Sequence, residues 1–304
     1  MFLNLNEVIK YTIGFVDATI TEGGLTFEKC TKKQREAWQK HSHELGERAI
    51  ATTGVRVDFY TNSDFVRAVT SKHRFELKIN GVTVEKTEDG ELCAALSGIS
   101  RVTIIFPSHD RGFIKSLELS DGATVEKPEY NRKILFIGDS ITQGWNSQYD
   151  SLSYAYRVSE FFNAESVING IGGSYFSKDT FDVADFEPSD VIIAYGCNDF
   201  KHYKTQDERI LHARQFLTLV KEAYCDKNLY YIKPIPRHDD IDFDGFDAMR
   251  SAMGDCAKTL GFTVIDGYLA IPKNRDFYAD SLHPNDLGFG LYADYVIKII
   301  QEKQ

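Results

Sequence analysis

The sequence predicts two units of different class: an antiparallel β-sandwich over residues 1–128, then a three-layer α/β/α unit with a five-stranded parallel sheet over residues 129–304. Short runs with period-two alternation occupy the first half, the pattern of strands with one buried face. Apolar runs without alternation, spaced by longer amphipathic stretches, occupy the second, the pattern of strands buried on both faces under helices. Between them lies Asp121-Gly122-Ala123-Thr124-Val125-Glu126-Lys127-Pro128, polar and punctuated by Gly and Pro. At 304 residues the chain exceeds one domain of about 150. Its 42% hydrophobic residues supply both cores and exclude a disordered chain.

In the first half, strands are predicted over 54–60, 65–70, 74–79 and 101–106. The turn signals Thr61-Asn62-Ser63-Asp64, Asn80-Gly81 and Glu88-Asp89-Gly90 separate them. Ahead of them, 31–40 reads as a short solvated surface helix, capped by Thr31 and anchored by Trp38. In the second half, parallel strands are predicted over 133–138, 166–169, 191–196, 229–232 and 262–266. Helices are predicted over 151–163, 205–225, 245–260 and 286–302, with apolar residues at three- and four-residue spacing such as Ile210, Phe216, Leu217 and Val220.

Lys and Arg number 35 against 45 Asp and Glu, and a net charge of -10 repels phosphate backbones and anionic membranes. Nucleic acid and membrane are therefore not expected as partners. The first residues carry no leader pattern and no apolar run of spanning length occurs, which predicts a cytoplasmic chain. Cys30, Cys93, Cys197, Cys225 and Cys256 are odd in number and form no C-x-x-C pair. They read as free thiols of a reducing compartment rather than as a disulfide or zinc framework. No cofactor or metal is expected.

In open parallel sheets, ligands bind beyond the carboxyl ends of the strands, where strand-to-helix loops and helix N-termini meet. Those ends carry Gly138-Asp139-Ser140-Ile141-Thr142, Asn169-Gly170-Ile171-Gly172-Gly173-Ser174 and Gly196-Cys197-Asn198-Asp199, and near the C-terminus stands Asp280-Ser281-Leu282-His283-Pro284. A serine hydroxyl is a weak nucleophile until a base takes its proton, so Ser140 needs an imidazole, and His283 is the candidate. Asp280, three residues earlier, can accept from Nδ1 and leave Nε2 facing the serine. The Ser140 N–H, a glycine N–H of the second loop and the Asn198 amide can supply donors to an oxyanion. The chemistry is acyl transfer to water.

The G-x-S-x-G elbow does not fit, since Thr142 stands two residues after Ser140. The four strand-end motifs together resemble the SGNH, or GDSL-like, hydrolase family, over roughly residues 133–302. That resemblance implies a flavodoxin-like catalytic unit and a cofactor-independent carboxylic ester hydrolase. It assigns Ser140, Gly173, Asn198, Asp280 and His283, with Gly172 a rival to Gly173. A sandwich ahead of such a unit, and the stretch 54–63, resemble certain carbohydrate esterases that remove acetyl groups. This implies a jelly-roll-like N-terminal domain and a small-molecule or oligosaccharide ester as substrate.

Blander readings stand beside these. Ser140 and Asp280 could be helix caps, His283 a loop histidine, and Gly173 and Asn198 turn residues. Asp139 and Asp199 read as loop organisers. Trp145 could stack on a sugar ring or pack on the next helix, and Tyr195 and Tyr278 are weaker candidates. The segment 240–245 matches half of a calcium loop but reads better as an acidic helix N-terminus, because position twelve is Ser251. The alternatives to a short-chain esterase are a lipid or thioester acyl hydrolase, for which no amphipathic lid is visible, and a catalytically idle carbohydrate-binding protein. The oligomeric state is open.

Overall fold

The structure, a computed structural model, describes residues 1–303. Among them, the N-terminal half forms two antiparallel sheets. One runs Asp17–Thr21, Gly24–Glu28, Ile114–Leu119, Phe65–Thr70, Glu91–Ala95, with Phe2–Leu3 beside Ile114–Leu119. The other runs Val125–Glu126, Arg56–Thr61, Ser100–Ile105, Phe75–Ile79, Val82–Thr87, with Thr12–Ile13 beside Arg56–Thr61. Alternation explains the layering. Val57 and Phe59 join Phe27, Leu77, Ile104 and Leu117 in one apolar core. Arg56 and Asp58, one residue out of phase, leave that core for the opposite face of their sheet.

Strands also lie ahead of Arg48, at 17–28, where none was predicted. Asp17–Thr21 is an exposed edge strand without an apolar face, so periodicity carries no signal there. Lys32–His41 is a helix capped by Thr31 in a capping box with Gln34. It is less solvated than expected: Gln34, Ala37 and Trp38 are buried, and Trp38 clusters with Leu45, Ile171 and Tyr175. A second short helix, His43–Ala49, follows it.

The C-terminal half carries the five-stranded parallel sheet, in the order Ala164–Gly170, Arg132–Gly138, Asp190–Ala194, Asn228–Ile232, Thr263–Ile265. Alternate residues of the central strand feed opposite cores: Ile134 and Phe136 one, Leu135 and Ile137 the other. Tyr154–Phe161 and Asp286–Gln301 cover the first face, Gln206–Ala223 and Phe243–Thr259 the second. Asp242 caps the last of these helices by accepting from the Gly245 N–H at 3.0 Å, at the helix N-terminus read for the acidic segment. The first strand lies between the second and third, so the chain order reverses beside Gly138 and opens a crevice at its carboxyl end.

The outer face of the second N-terminal sheet meets the parallel unit through polar contacts. Arg56 donates to the Ala164 carbonyl at 2.9 Å, and Asp58 accepts from the Tyr130 hydroxyl at 2.8 Å. Buried Glu76 accepts from the Ser151 N–H at 2.9 Å and hydroxyl at 2.7 Å, and Arg74 pairs with Asp150.

Candidate active site

The first strand ends at Gly138, where an added Cβ would stand 2.0 Å from Thr142 Oγ1 and 2.9 Å from the Ala194 carbonyl, so only glycine fits. Asp139 caps the four-residue helix Ser140–Gln143, accepting from the Ile141 N–H at 2.9 Å. That leaves the Ser140 N–H as one of the unsatisfied donors of a helix start. Burial raises the Asp139 carboxyl to about 7. Asp139 thus organises the loop, as read from the sequence.

Ser140 and His283 meet, 143 residues apart in the chain, with Oγ 2.8 Å from Nε2. His283 Nδ1 lies 2.8 Å from Asp280 Oδ2. Asp280 Oδ1 accepts from the backbone N–H groups of Leu282 and His283, both at 2.7 Å. Burial pushes the Asp280 carboxyl up, but these bonds and the His283 ring outweigh it and hold the group below its ordinary value. It therefore stays a carboxylate at neutral pH and fixes the imidazole with its acceptor nitrogen toward Ser140.

The glycine loop distinguishes its two candidates. Ile171-Gly172-Gly173-Ser174 closes as a turn, with the Ser174 N–H donating to the Ile171 carbonyl at 3.0 Å and Gly173 at φ +81°. The Gly172 N–H is spent on Gln143 Oε1 at 2.7 Å. This favours Gly173 over Gly172 as the free donor. Asn198 donates one amide hydrogen to the Ser174 carbonyl at 2.9 Å, which ties the third loop to the second. Asp199, fully buried, accepts from the Phe176 N–H at 3.0 Å through Oδ1, and burial raises it to about 7. Cys197 is buried and its carbonyl accepts from Arg237 at 2.8 Å.

Half-buried Trp145 lies with its ring centroid 6.2 Å from that of His283 and 4.7 Å from that of His109. Its ring neighbours are His109 and Arg48 of the N-terminal half and His283. Tyr195 is core, and the ring of Tyr278 packs edge-on against His238.

Four residues that sequence reading missed also border the site. Asn146 donates to Asp280 Oδ2 at 2.8 Å. Gln143 donates to the Ser108 carbonyl at 2.7 Å while holding Gly172. His109 abuts Trp145, and Arg48 donates to the Gly172 carbonyl at 2.8 Å with its guanidinium 5.4 Å from the Trp145 centroid. Asn146 and Gln143 follow the nucleophile motif closely and a wider window would have flagged them. Arg48 and His109 sit in the other half and carry no local signal. Among the described residues no cluster of His, Cys, Asp or Glu is arranged to hold a metal ion, and no helix is long and apolar enough to cross a membrane.

The sequence model of the GDSL-like lipase/acylhydrolase family matches residues 136–291. No curated protein sequence matches the chain. Among solved structures, the salicylyl-acyltransferase SsfX3 of a tetracycline biosynthetic pathway is similar with a TM-score of 0.81 at 14% identity, over 96% of this chain and 94% of that one. The acetyl xylan esterase Est2A of Butyrivibrio proteoclasticus is similar with a TM-score of 0.67 at 13% identity, over 100% and 99%. A family two carbohydrate esterase of Clostridium thermocellum, solved with cellohexaose, is similar with a TM-score of 0.65 at 16% identity, over 82% and 91%. At these identities the likeness is one of fold.

Proposed function

The chain belongs to the GDSL-like lipase/acylhydrolase family, and on that premise we propose a serine esterase that removes short acyl groups, acetyl foremost, from a carbohydrate. One observation carries the reading: two consecutive 2.8 Å contacts link Ser140 Oγ to His283 and His283 to Asp280. His283 Nε2 takes the hydroxyl proton as Ser140 Oγ bonds to the ester carbonyl carbon, and Asp280 stabilises the imidazolium. The oxyanion is received by the N–H groups of Ser140 and Gly173 and the second amide hydrogen of Asn198. Collapse breaks the ester C–O bond, and His283 returns the proton to the departing alcohol. Water, activated by the same imidazole, then releases the acid from the acyl-Ser140 ester.

Acetyl as the acyl group and a sugar as the alcohol are supported by the likeness to esterases named for carbohydrate substrates. Trp145 beside His283 offers a ring face to a sugar. Residues 1–128 and 129–304 are the proposed domains. The five cysteines are free among the described residues, which supports a reducing, cytoplasmic location. The test is an assay of p-nitrophenyl esters of graded length and acetylated oligosaccharides with the parent and Ser140→Ala. Turnover should fall by at least about 10³-fold in the variant, and acetate should be preferred. Equal rates would remove Ser140 from the mechanism.

The likeness to an acyltransferase favours a second reading, in which an alcohol rather than water accepts the acyl group from Ser140. Turnover that rises with added alcohol, with a new ester as product, would identify it.

A further inference from the structure

Gly172 and Gly173 occupy the centre of the turn Ile171–Ser174, with positive φ at Gly173 and not at Gly172. Together with the Ser174 N–H to Ile171 carbonyl bond, this is a type II turn. Types I and II differ by rotation of the central peptide through roughly half a turn, with the flanking residues nearly unmoved. Here that peptide consists of the Gly172 carbonyl and the Gly173 N–H. Because it is planar and trans, the two groups point in opposite directions. Whatever fixes the carbonyl therefore aims the N–H.

Arg48 fixes the carbonyl. Its Nη1 donates to Gly172 at 2.8 Å, and an added Cβ on Gly173 would stand 2.9 Å from the same nitrogen, so the guanidinium lies directly against the turn. The arginine is itself held. Nη2 pairs with Glu44, the guanidinium lies over the Trp145 ring, and the Arg48 carbonyl accepts from the buried Lys29 ammonium at 3.0 Å. Lys29 is anchored in turn on Thr53 Oγ1 at 2.7 Å. A Gly-Gly pair has no side chain to choose between turn types, so an external bond must choose.

We propose that Arg48, from the N-terminal half, is a positioning residue that latches the glycine turn in its type II form and so directs the Gly173 N–H into the oxyanion site. The inference rests on the esterase reading given above. Its guanidinium touches no reacting atom. It acts through the peptide it holds, and its charge polarises that peptide so that the N–H is a stronger donor.

The latch matters where negative charge develops on oxygen and hardly at all for ground-state binding. Arg48→Met should lower kcat about 10- to 100-fold, less than the loss of a whole oxyanion donor, with KM within about threefold. Affinity for an alkyl boronic acid, which forms a tetrahedral adduct on Ser140, should fall by the same factor as kcat/KM. Arg48→Lys keeps a cation that reaches Gly172 or Glu44 but not both, and should recover part of the loss. It also serves if Arg48→Met does not fold. A kcat within twofold of the parent in a folded variant, an unchanged boronate affinity, or a KM that rises as much as kcat falls would each overturn the latch. If Ser140→Ala is inactive while Arg48→Met keeps full activity, only this inference fails; if Ser140→Ala keeps full activity, the esterase reading fails first.

Discussion

The interiors of the two halves and the seam between them are built by different physics. Each interior is apolar and continuous: Phe27, Phe59 and Leu117 between the antiparallel sheets, Ile134 and Phe136 or Leu135 and Ile137 on the two faces of the parallel sheet. The seam has apolar patches too, Ile105 in the parallel unit's core and Trp38 and Leu45 against Ile171 and Tyr175, but it is set apart by discrete polar bonds: Arg56 on a carbonyl, Glu76 on Ser151, Arg48 on Gly172 and Gln143 on Ser108. Apolar burial is non-directional and fixes that a half folds. Hydrogen bonds are directional and fix where a loop points, which is what an oxyanion site needs.

That contrast can be broken by experiment, beginning with the largest effect. Asp280→Asn leaves both cores and the seam intact but presents the wrong partner to His283 Nδ1. It should reduce kcat by about 10²- to 10⁴-fold with the urea midpoint unchanged. A large loss of stability there would mean that the loop is structural. Phe59→Ala removes a fully buried ring from the sandwich core and should cost about 3–5 kcal/mol in denaturant unfolding. Folded Phe59→Ala should turn over at nearly the parent rate, and a collapse of kcat would show that core and site are coupled. Glu76→Ala strips the Ser151 N–H of its acceptor in the seam and should cost about 1–3 kcal/mol. A cost equal to that of Phe59→Ala would erase the distinction between seam and interior.

The remaining effect is one of pH. Burial raises Asp139 and Asp199 to about 7, so between their unfolded value near 4 and pH 7 the native state binds more protons than the unfolded chain. Stability contributed by these groups is therefore present at low pH and lost as pH rises through that window. Asp199→Asn never ionises and should be more stable relative to the parent at pH 8 than at pH 5, as read from urea midpoints. An identical difference at both pH values would mean that Asp199 titrates normally.

Much of this was legible in the chain. Uninterrupted apolar runs located the parallel strands to within a few residues, because a strand buried on both faces has no place for a polar side chain. The helices after them were read to within three residues at either end. The strands at 17–28, 82–87, 91–95 and 114–119 were missed; Asp17–Thr21 has no buried face and Gly24–Glu28 is buried at every position, so neither shows a period of two. The motifs at the strand ends named Ser140, Asp280 and His283, and the fold brings those three into one hydrogen-bonded chain. Trp145 was weighed as rim or packing, and its neighbours His109 and Arg48 lay beyond reach of any local pattern.

By itself the sequence determined the class of each half and the side chains able to carry the chemistry, because hydrophobic period and residue type are local properties that each position states for itself. The tertiary structure alone decided that Glu76 and Arg48 of one half seat loops of the other, and that Gly172 spends its N–H on Gln143 while Gly173 keeps its own. Those facts depend on distances between residues far apart in the chain, and a directional bond exists only once both partners have been brought within about 3 Å.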